Sequence, residues 1–179
     1  PEEGSLAPDF IASAYTGGAW EEVRLSEIYD GRLVYINFLD TDCPYCWEEG
    51  TELSNMHQAF HEDVIFINVM VSLEITGHDS SREEVEAFRD KTPFGDNENN
   101  GDGCYSGRKN CAERPGEAHT WMYVDDLTNS IAGDWELPGT PFSVILDGEG
   151  TVVWNQAQSD NHPPGEEVGN ALARLLGGE

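Results

Sequence analysis

Two long apolar segments with a helical pattern between them restrict the fold of this chain more than any other feature. The runs Leu33–Leu39 and Val64–Val71 are rich in β-branched and aromatic residues and contain no charged residue. Such runs predict strands buried on both faces, as in the centre of a sheet that helices cover on both sides. Between the runs, four residues recur at helical spacing: Cys46, Leu53, Met56 and Phe60. This spacing predicts an amphipathic helix over 44–61. Strand, helix and strand together predict a right-handed βαβ unit, and therefore an α/β fold.

Shorter patterns predict the remaining elements of a single domain over residues 1–179. They indicate a hairpin near 9–11 and 22–25, a helix over 81–90, a strand over 120–124, a hairpin over 142–154, and a final helix with Val168, Leu172, Leu175 and Leu176 on one face. The second helix begins at a capping-box pattern, in which Ser81 is followed three residues later by Glu84. Residues 1–5 are expected to form a short polar leader, and 93–118 an inserted loop.

The charge balance excludes several classes of partner. The chain carries 35 acidic and 9 basic residues, a net charge of −26, with Lys91 and Lys109 as its two lysines. Nucleic acids and anionic membranes bind clusters of Lys and Arg, which this sequence lacks. No segment approaches the roughly 20 apolar residues that a membrane-spanning helix needs. We therefore expect a solvated monomer without nucleic-acid partners, although a signal segment or lipid anchor could lie upstream.

The four cysteines fall into two close pairs, Cys43 with Cys46 and Cys104 with Cys111. The second pair lies in the irregular insert and would close a loop of eight residues. We expect it to form a structural disulfide, with a relay pair that exchanges with the first pair, or free thiols, as the alternatives. Structural disulfides are rare in the cytosol, so this pair predicts an extracytoplasmic location such as the periplasm or cell envelope.

The first pair follows a predicted buried strand and opens a predicted helix, as Cys43-Pro44-Tyr45-Cys46. At the helix N-cap, unpaired N–H groups and the helix dipole stabilise a thiolate on Cys43. Cys46 lies one turn further along and can reach the same sulfur. Cys43 is therefore the candidate nucleophile, and Cys46 the candidate resolving cysteine, of thiol–disulfide exchange.

Two other interpretations of this pair remain open. A C-x-x-C segment is also half of a zinc site, but the six residues between Cys104 and Cys111 are not the tight spacing of a zinc knuckle. The pair could also form an inert structural disulfide. We expect neither a metal nor a cofactor.

Several segments together resemble the TlpA-like, or redoxin, branch of the thioredoxin superfamily over residues 4–176. They are Ala7-Pro8-Asp9-Phe10, Val23-Arg24-Leu25-Ser26, Gly31, Ile36-Asn37-Phe38 before the C-x-x-C, Gly139-Thr140-Pro141 and Asp147-Gly148-Glu149-Gly150. The resemblance implies a thioredoxin fold, with a central mixed sheet flanked by helices, an N-terminal hairpin and a disulfide-stapled insert. It further implies that Pro141 is a cis-proline facing the cysteines, and that the Thr140 backbone binds an extended substrate peptide. We expect Pro44, Tyr45 and Trp47 to be further substrate-binding residues.

The sequence departs from the family pattern beside the first cysteine. Asp40 and Asp42 replace the usual aromatic and small residues, and we expect these carboxylates to be exposed and to raise the pKa of Cys43 weakly. Asn37 stands where thioredoxins carry a buried acid, so proton transfer to Cys46 would need water or another carboxylate. Trp47, and Trp135 near the predicted proline loop, are either core residues or an apolar platform for partner peptides.

The insert contains a second candidate ligand site. Residues 96–103 place oxygen-bearing side chains at alternate positions around glycines, as calcium loops do. The twelfth position, where such loops need a bidentate Glu, is Gly107. A solvated acidic loop is therefore favoured over a calcium site.

These observations predict an extracytoplasmic thiol–disulfide oxidoreductase whose partners are client protein disulfides or dithiols and an unknown redox donor. One rival is a peroxiredoxin-like peroxidase, but that family has Thr three residues before its cysteine, where this chain has Asp40. A second rival is a non-enzymatic module that binds Cu(I) through the cysteines. Three methionines, Met56, Met70 and Met122, lie in core patterns and do not favour it.

Overall fold

The computed structural model describes residues 1–94, 104, 109–162 and 165–177. Seven strands are present in this part of the chain: β1 (Ile11–Tyr15), β2 (Trp20–Arg24), β3 (Leu33–Leu39), β4 (Val64–Val71), β5 (Met122–Asp126), β6 (Phe142–Leu146) and β7 (Val152–Asn155). Five α-helices accompany them: α1 (Pro44–Glu48), α2 (Gly50–Phe60), α3 (Arg82–Asp90), α4 (Ser130–Asp134) and α5 (Val168–Leu176).

The strands form one mixed sheet in the order β2-β1-β5-β4-β3-β6-β7. The three central strands are parallel, because β4 pairs with both β3 and β5 in that sense. The hairpins β1–β2 and β6–β7 add antiparallel strands on either side. This is the predicted α/β arrangement with a mixed sheet, and both predicted hairpins are confirmed.

Apolar side chains cover both faces of the sheet, as the near-continuous apolar runs of β3 and β4 predict. On β3, Tyr35 and Leu39 belong to the cluster that packs against α1, α2, α3 and α5. Val34, Ile36 and Phe38 point to the opposite face and pack against the N-terminal segment and α4. The end of β3 is thereby held rigidly at the centre of the molecule, and it delivers the chain to Cys43.

The predicted helix over 44–61 is divided into α1 and α2 at Glu49. Gly50 follows this break and lies against the carbonyl oxygen of Pro115, which would be 2.2 Å from a Cβ atom at this position. The apolar spacing from which the helix was predicted gives no information about this contact between Gly50 and Pro115, because the two residues are far apart in the chain.

Residues 1–5, the predicted polar leader, form hydrogen bonds to the sheet. Gly4 N–H donates to the carbonyl of Val152 at 2.8 Å, and Val152 N–H donates to the carbonyl of Ser5 at 2.8 Å. Glu3 also accepts a hydrogen bond from the N–H of Asn155 at 3.1 Å. The first residues therefore cover the outer edge of β7, where unpaired backbone groups favour such pairing.

The insert predicted over 93–118 is described at 93–94, at Cys104 and over 109–118. The calcium-loop pattern at 96–103, with Gly107, lies outside the described residues and stays a prediction. Within the ranges that are described, no helix is long and apolar enough to cross a membrane.

Candidate active site

The Cys43-Pro44-Tyr45-Cys46 segment forms the N-terminus of α1, as predicted. Cys43 is the N-cap residue with extended backbone angles, and Pro44 occupies the first turn, where a missing N–H costs nothing. The Cys43 sulfur accepts a hydrogen bond from the backbone N–H of Cys46 at 3.3 Å. The helix end is thus capped by the sulfur itself, which places negative charge where the helix dipole favours it.

The two cysteines are free thiols with different surroundings. Cys43 is 2% exposed, whereas Cys46 has no exposed surface. A hydrogen bond from the Cys46 thiol lowers the pKa of Cys43 to about 7, with further help from Thr140 and the helix N–H groups against the effect of burial. Burial raises the pKa of Cys46 well above its usual value. Of the two sulfurs, Cys43 is therefore the one that ionises near neutral pH and the one with some exposed surface.

Pro141 lies opposite the cysteines. The Thr140–Pro141 peptide bond is cis, as the family resemblance implied. The Cys43 thiol donates a weak hydrogen bond to the carbonyl oxygen of Thr140 at 3.6 Å. Pro141 lines two cavities, of about 350 and 360 Å³. Glu49 lines the first of them, and Thr140 lines the second.

The expected effect of Asp40 and Asp42 on the pKa of Cys43 is wrong. Both residues are fully buried, so they are not the exposed carboxylates that the sequence suggested. Their oxygens accept backbone N–H groups of the segment after β4, including Leu73 for Asp40 and Thr76 for Asp42. The carboxylates are therefore directed at these donors, and the pKa of Cys43 is lowered rather than raised.

Glu49 is the ionisable residue of this site that sequence reasoning did not identify. It lies three residues after Cys46, lines the cavity beside Pro141, and accepts a hydrogen bond from the side-chain amide of Asn37 at 3.1 Å. Burial, reinforced by the charges of Glu52 and Cys43, raises the pKa of Glu49 to about 7. The sequence could have indicated this residue, because Glu49 follows Cys46 by three positions and residues three apart on a helix share one face. The Asn37 side chain thus orients the Glu49 carboxyl.

The aromatic residues predicted near the site differ in exposure. Tyr45 is 71% exposed between the two cysteines. Trp47 is buried and packs edge-on against Phe88 at 6.0 Å between ring centres. Trp135 is also buried and donates its indole N–H to the carbonyl of Pro8 at 3.1 Å. The two tryptophans are core residues and do not form an exposed platform.

The second pair forms the expected disulfide between Cys104 and Cys111, with Cα atoms 5.3 Å apart. Both cysteines are buried in the same apolar cluster as Cys43 and Cys46. The Cys111 N–H donates to the carbonyl of Phe94 at 2.9 Å, which fixes the start of the segment that follows.

Arg114 connects this segment to the helices of the active-site face. Its guanidinium is completely buried and donates to four backbone carbonyls, those of Phe88, Arg89, Pro115 and Glu117, at 2.5 to 3.2 Å. Burial lowers the pKa of Arg114. The same burial, together with the Arg114 charge, lowers the pKa of the neighbouring His119 to about 3, so this ring is neutral. The insert is therefore held by a buried cation that is satisfied by carbonyl oxygens.

Comparisons with known proteins agree with this architecture. The model of the Redoxin family matches residues 2–175. No curated protein matches the chain. Among solved structures, the thioredoxin domain of a thiol-disulfide oxidoreductase from Bacteroides vulgatus superposes with a TM-score of 0.56 at 17% identity, covering 87% of this chain and 89% of that one.

Two further solved structures have a similar fold. A thiol:disulfide interchange protein from Bacteroides sp. has a TM-score of 0.62 at 16% identity, covering 98% of this chain and 91% of that one. The 2-Cys peroxiredoxin of Plasmodium vivax has a TM-score of 0.62 at 23% identity, covering 98% of this chain and 80% of that one. At these identities the likeness shows the fold alone. With a family match over nearly its whole length, the chain belongs to the Redoxin family and has a thioredoxin-like fold.

Proposed function

We propose that this redox protein is a thiol–disulfide oxidoreductase that exchanges disulfides with client proteins through Cys43 and Cys46. The observation that carries the proposal is the position of the Cys43 sulfur. It caps α1 at 3.3 Å from the Cys46 N–H and lies 3.6 Å from the Thr140 carbonyl, which precedes the cis-proline. A sulfur in this position is ionised near neutral pH and has its resolving partner within reach.

The exchange begins when the Cys43 thiolate attacks one sulfur of a client disulfide. The client S–S bond breaks, a mixed disulfide forms at Cys43, and the departing client sulfur takes up a proton. Cys46 then loses its proton and attacks the Cys43 sulfur, which releases the second client thiolate. The protein dithiol has given two electrons to the client and has become the Cys43–Cys46 disulfide. Reversal of these steps oxidises a client dithiol.

We propose that Glu49 takes the proton that Cys46 must lose. Its carboxyl has a pKa of about 7 and interacts with the charge on Cys43. A group that titrates near neutral pH can both accept and return a proton during the cycle. The carboxylate that would replace the thioredoxin acid then comes from the junction between α1 and α2 rather than from β3.

A peroxidase is the main rival, because peroxiredoxins share this fold. A peroxiredoxin-like site needs a Thr three residues before its cysteine and an arginine beside the peroxide. Here Asp40 occupies the first position, and the described hydrogen-bond partners of the Cys43 sulfur are Cys46 and Thr140. These contacts favour disulfide exchange.

A Cu(I)-binding module is a second rival. The thioether sulfurs that would supplement the cysteines belong to the core, since Met70 is fully buried and Met56 nearly so. This placement gives no support to a soft-metal site.

The test measures insulin reduction with dithiothreitol as electron donor, for the protein and its Cys43→Ser and Cys46→Ser variants. We expect both variants to lose turnover, and Cys46→Ser to accumulate a mixed disulfide at Cys43. Full activity in either variant would refute the proposal. Consumption of hydrogen peroxide without insulin reduction would establish the peroxidase, and stoichiometric Cu(I) binding without either activity would establish the metal module.

We further propose that the protein works outside the cytoplasm. The Cys104–Cys111 disulfide supports this location, because structural disulfides persist in oxidising compartments. Fractionation of the source cells tests it. Recovery of the protein from the cytosol with Cys104 and Cys111 reduced would overturn this part of the proposal.

A further inference from the structure

A series of buried hydrogen bonds leads from the interior of the sheet to the Glu49 carboxyl. The Tyr35 hydroxyl lies 2.9 Å from the Ser143 hydroxyl, which lies 3.4 Å from the side-chain carbonyl oxygen of Asn37. The side-chain amide of Asn37 donates to Glu49 at 3.1 Å. Tyr35 and Asn37 have no exposed surface, and Ser143 is nearly as buried. We call Tyr35, Ser143 and Asn37 together the polar relay.

The pairing of β3 with β6 builds the polar relay. Asn37 on β3 lies directly opposite Ser143 on β6, and the side chains of such cross-strand partners stand on the same face of the sheet. Tyr35 precedes Asn37 by two positions and therefore points to that face as well. The Ser143 N–H also donates to the side-chain oxygen of Gln156 at 2.9 Å. Regular strand pairing thus brings the three side chains together.

The number of hydrogens on each group gives the polar relay a direction. A hydroxyl has a single hydrogen, so a Ser143 hydroxyl that donates to Asn37 must accept the hydrogen of Tyr35. Burial raises the pKa of Tyr35, so this hydrogen is retained. The carbonyl oxygen of the Asn37 amide then has its donor, and the NH₂ group of the same amide faces Glu49. Every donor in the polar relay therefore points towards the carboxyl.

The opposite direction suits only a protonated carboxyl. If the Asn37 amide were turned over, its carbonyl oxygen would face Glu49 and would accept a hydrogen bond only from a carboxyl that carries a proton. The NH₂ group would then donate to Ser143, whose own hydrogen would point to Tyr35. The Tyr35 hydrogen would have to point away from Ser143 into buried surroundings. The polar relay therefore favours the carboxylate form of Glu49.

The other ionisable groups around Glu49 favour the protonated form, because they carry negative charge. Two of them raise its pKa and two more line the same cavity, namely Glu52 with Cys43, and Glu166 with Glu167. The Arg174 guanidinium is bound by Glu166 through two hydrogen bonds of 2.8 Å. None of the described residues that line the cavity is basic. The hydrogen bond from Asn37 is what lowers the pKa of Glu49 against burial and these charges.

We propose that Ser143 and Tyr35 are positioning residues for the Glu49 carboxyl. They fix the Asn37 amide so that its NH₂ group, and not its carbonyl oxygen, faces this carboxyl. The inference rests on the proposed function, because Glu49 is the group that takes the proton of Cys46 there. It extends that function to two residues whose hydroxyls act on Glu49 through Asn37.

The test measures the pKa of Glu49 by NMR, from the chemical shift of its ¹³C-labelled carboxyl as the pH is varied. Glu49→Gln removes this signal and thereby assigns it. The reduced protein is compared with Ser143→Ala and Tyr35→Phe, each of which removes one hydroxyl. We expect the pKa of Glu49 to rise by about one pH unit in Ser143→Ala, since a hydrogen bond to a charged group is worth about that much. The rise should be smaller in Tyr35→Phe, because the Ser143 hydroxyl can still donate to Asn37.

The direction of the change separates positioning from loosened packing. A loosened site would admit water to the carboxyl and lower the pKa of Glu49 towards its ordinary value of 4.5. Loss of the polar relay raises this pKa instead. An unchanged or lowered pKa of Glu49 in Ser143→Ala would overturn the inference, and an unchanged pKa in Tyr35→Phe would remove Tyr35 from it.

Two control variants match these substitutions. Ser143→Thr keeps the hydroxyl and should keep the pKa of Glu49 found in the unchanged protein. Tyr123 is as fully buried as Tyr35, and its hydroxyl forms a hydrogen bond with His119 at 2.6 Å, outside the polar relay. Tyr123→Phe should therefore leave the pKa of Glu49 unchanged. A rise in this control as large as that in Ser143→Ala would also overturn the inference.

Insulin reduction by the same variants separates the inference from the function on which it rests. If the unchanged protein does not reduce insulin, the proposed function fails, whereas the NMR titration still decides whether the polar relay positions Glu49. If Glu49 takes the proton of Cys46, the pH at which turnover is half-maximal should rise in Ser143→Ala together with the pKa of Glu49. A raised pKa with an unmoved pH profile would confirm the positioning role and refute the proton transfer to Glu49.

Discussion

Replacement of Glu49 by Gln should reveal how much folding free energy the protein gives up to keep a titratable carboxyl beside its redox centre. The Glu49 carboxyl is largely buried where α1 meets α2 and accepts the side-chain amide of Asn37 at 3.1 Å. Burial raises its pKa from 4.5 to about 7. Gln keeps the size and the acceptor oxygen of this side chain but has no charge to bury.

The direction in which stability changes with pH depends on whether the folded or the unfolded protein holds the proton. Between pH 4.5 and 7 the folded protein keeps a proton on Glu49 that the unfolded chain has already lost. Stability therefore falls as pH rises through this window and the penalty is complete above it. The rise in the pKa of Glu49 from 4.5 to about 7 corresponds to a loss of about 3 kcal/mol in the free energy of unfolding, at about 1.4 kcal/mol per pKa unit.

The measurement is urea unfolding of the reduced protein and of Glu49→Gln at pH 5 and pH 8.5. Because other titrating groups are common to both proteins, the difference between their unfolding free energies isolates Glu49. We expect Glu49→Gln to gain about 2–3 kcal/mol relative to the unchanged protein between these two pH values. The exposed neighbour Glu48, changed to Gln, serves as the control and should show no such gain. A Glu49→Gln difference that is the same at both pH values would refute the reasoning.

Three substitutions test how the insert is attached. Gly50→Ala should lower the free energy of unfolding by about 2 kcal/mol or more, because the new Cβ would lie 2.2 Å from the Pro115 carbonyl oxygen. The control is Gly133→Ala, whose Cβ meets no atom within 4 Å and which should not lower Tm. Arg114→Met should cost at least about 3 kcal/mol in urea unfolding, since four buried carbonyls lose their donor; a loss below about 1 kcal/mol would contradict this. Cys111→Ser should lower stability by about 2–3 kcal/mol under oxidising conditions, and an excess of reductant should remove the difference from the unchanged protein.

Local sequence patterns predicted most of the architecture. The apolar runs of β3 and β4 predicted a parallel pair at the centre of the sheet, and those strands pair in register from Leu33 with Val64 to Leu39 with Met70. Ser81 caps α3 by accepting the N–H of Glu84, as its spacing suggested. These signals were reliable because each depends on residues that are close in the chain or share a face of one element.

The errors arose where distant segments meet. The charge of Asp40 and Asp42 suggested exposure, but both accept hydrogen bonds from residues more than 30 positions later. A carboxylate can be buried where N–H groups donate hydrogen bonds to its oxygens. No sequence pattern near Cys43 indicates where those donors are. The hydrogen bonds between residues 1–5 and β7 likewise join segments that are far apart in the chain.

The sequence alone determined the chemistry that is available: two thiols one helical turn apart, a proline at the first turn, and a Thr-Pro pair before a later strand. The tertiary structure decided how these groups differ. It buried Cys46 while leaving Cys43 slightly exposed, turned two acids away from the sulfurs, and enclosed Glu49 so that its proton is held up to about pH 7. The physical reason is that spacing along the chain specifies helices, strands and caps, whereas burial and pKa depend on groups that only folding brings together.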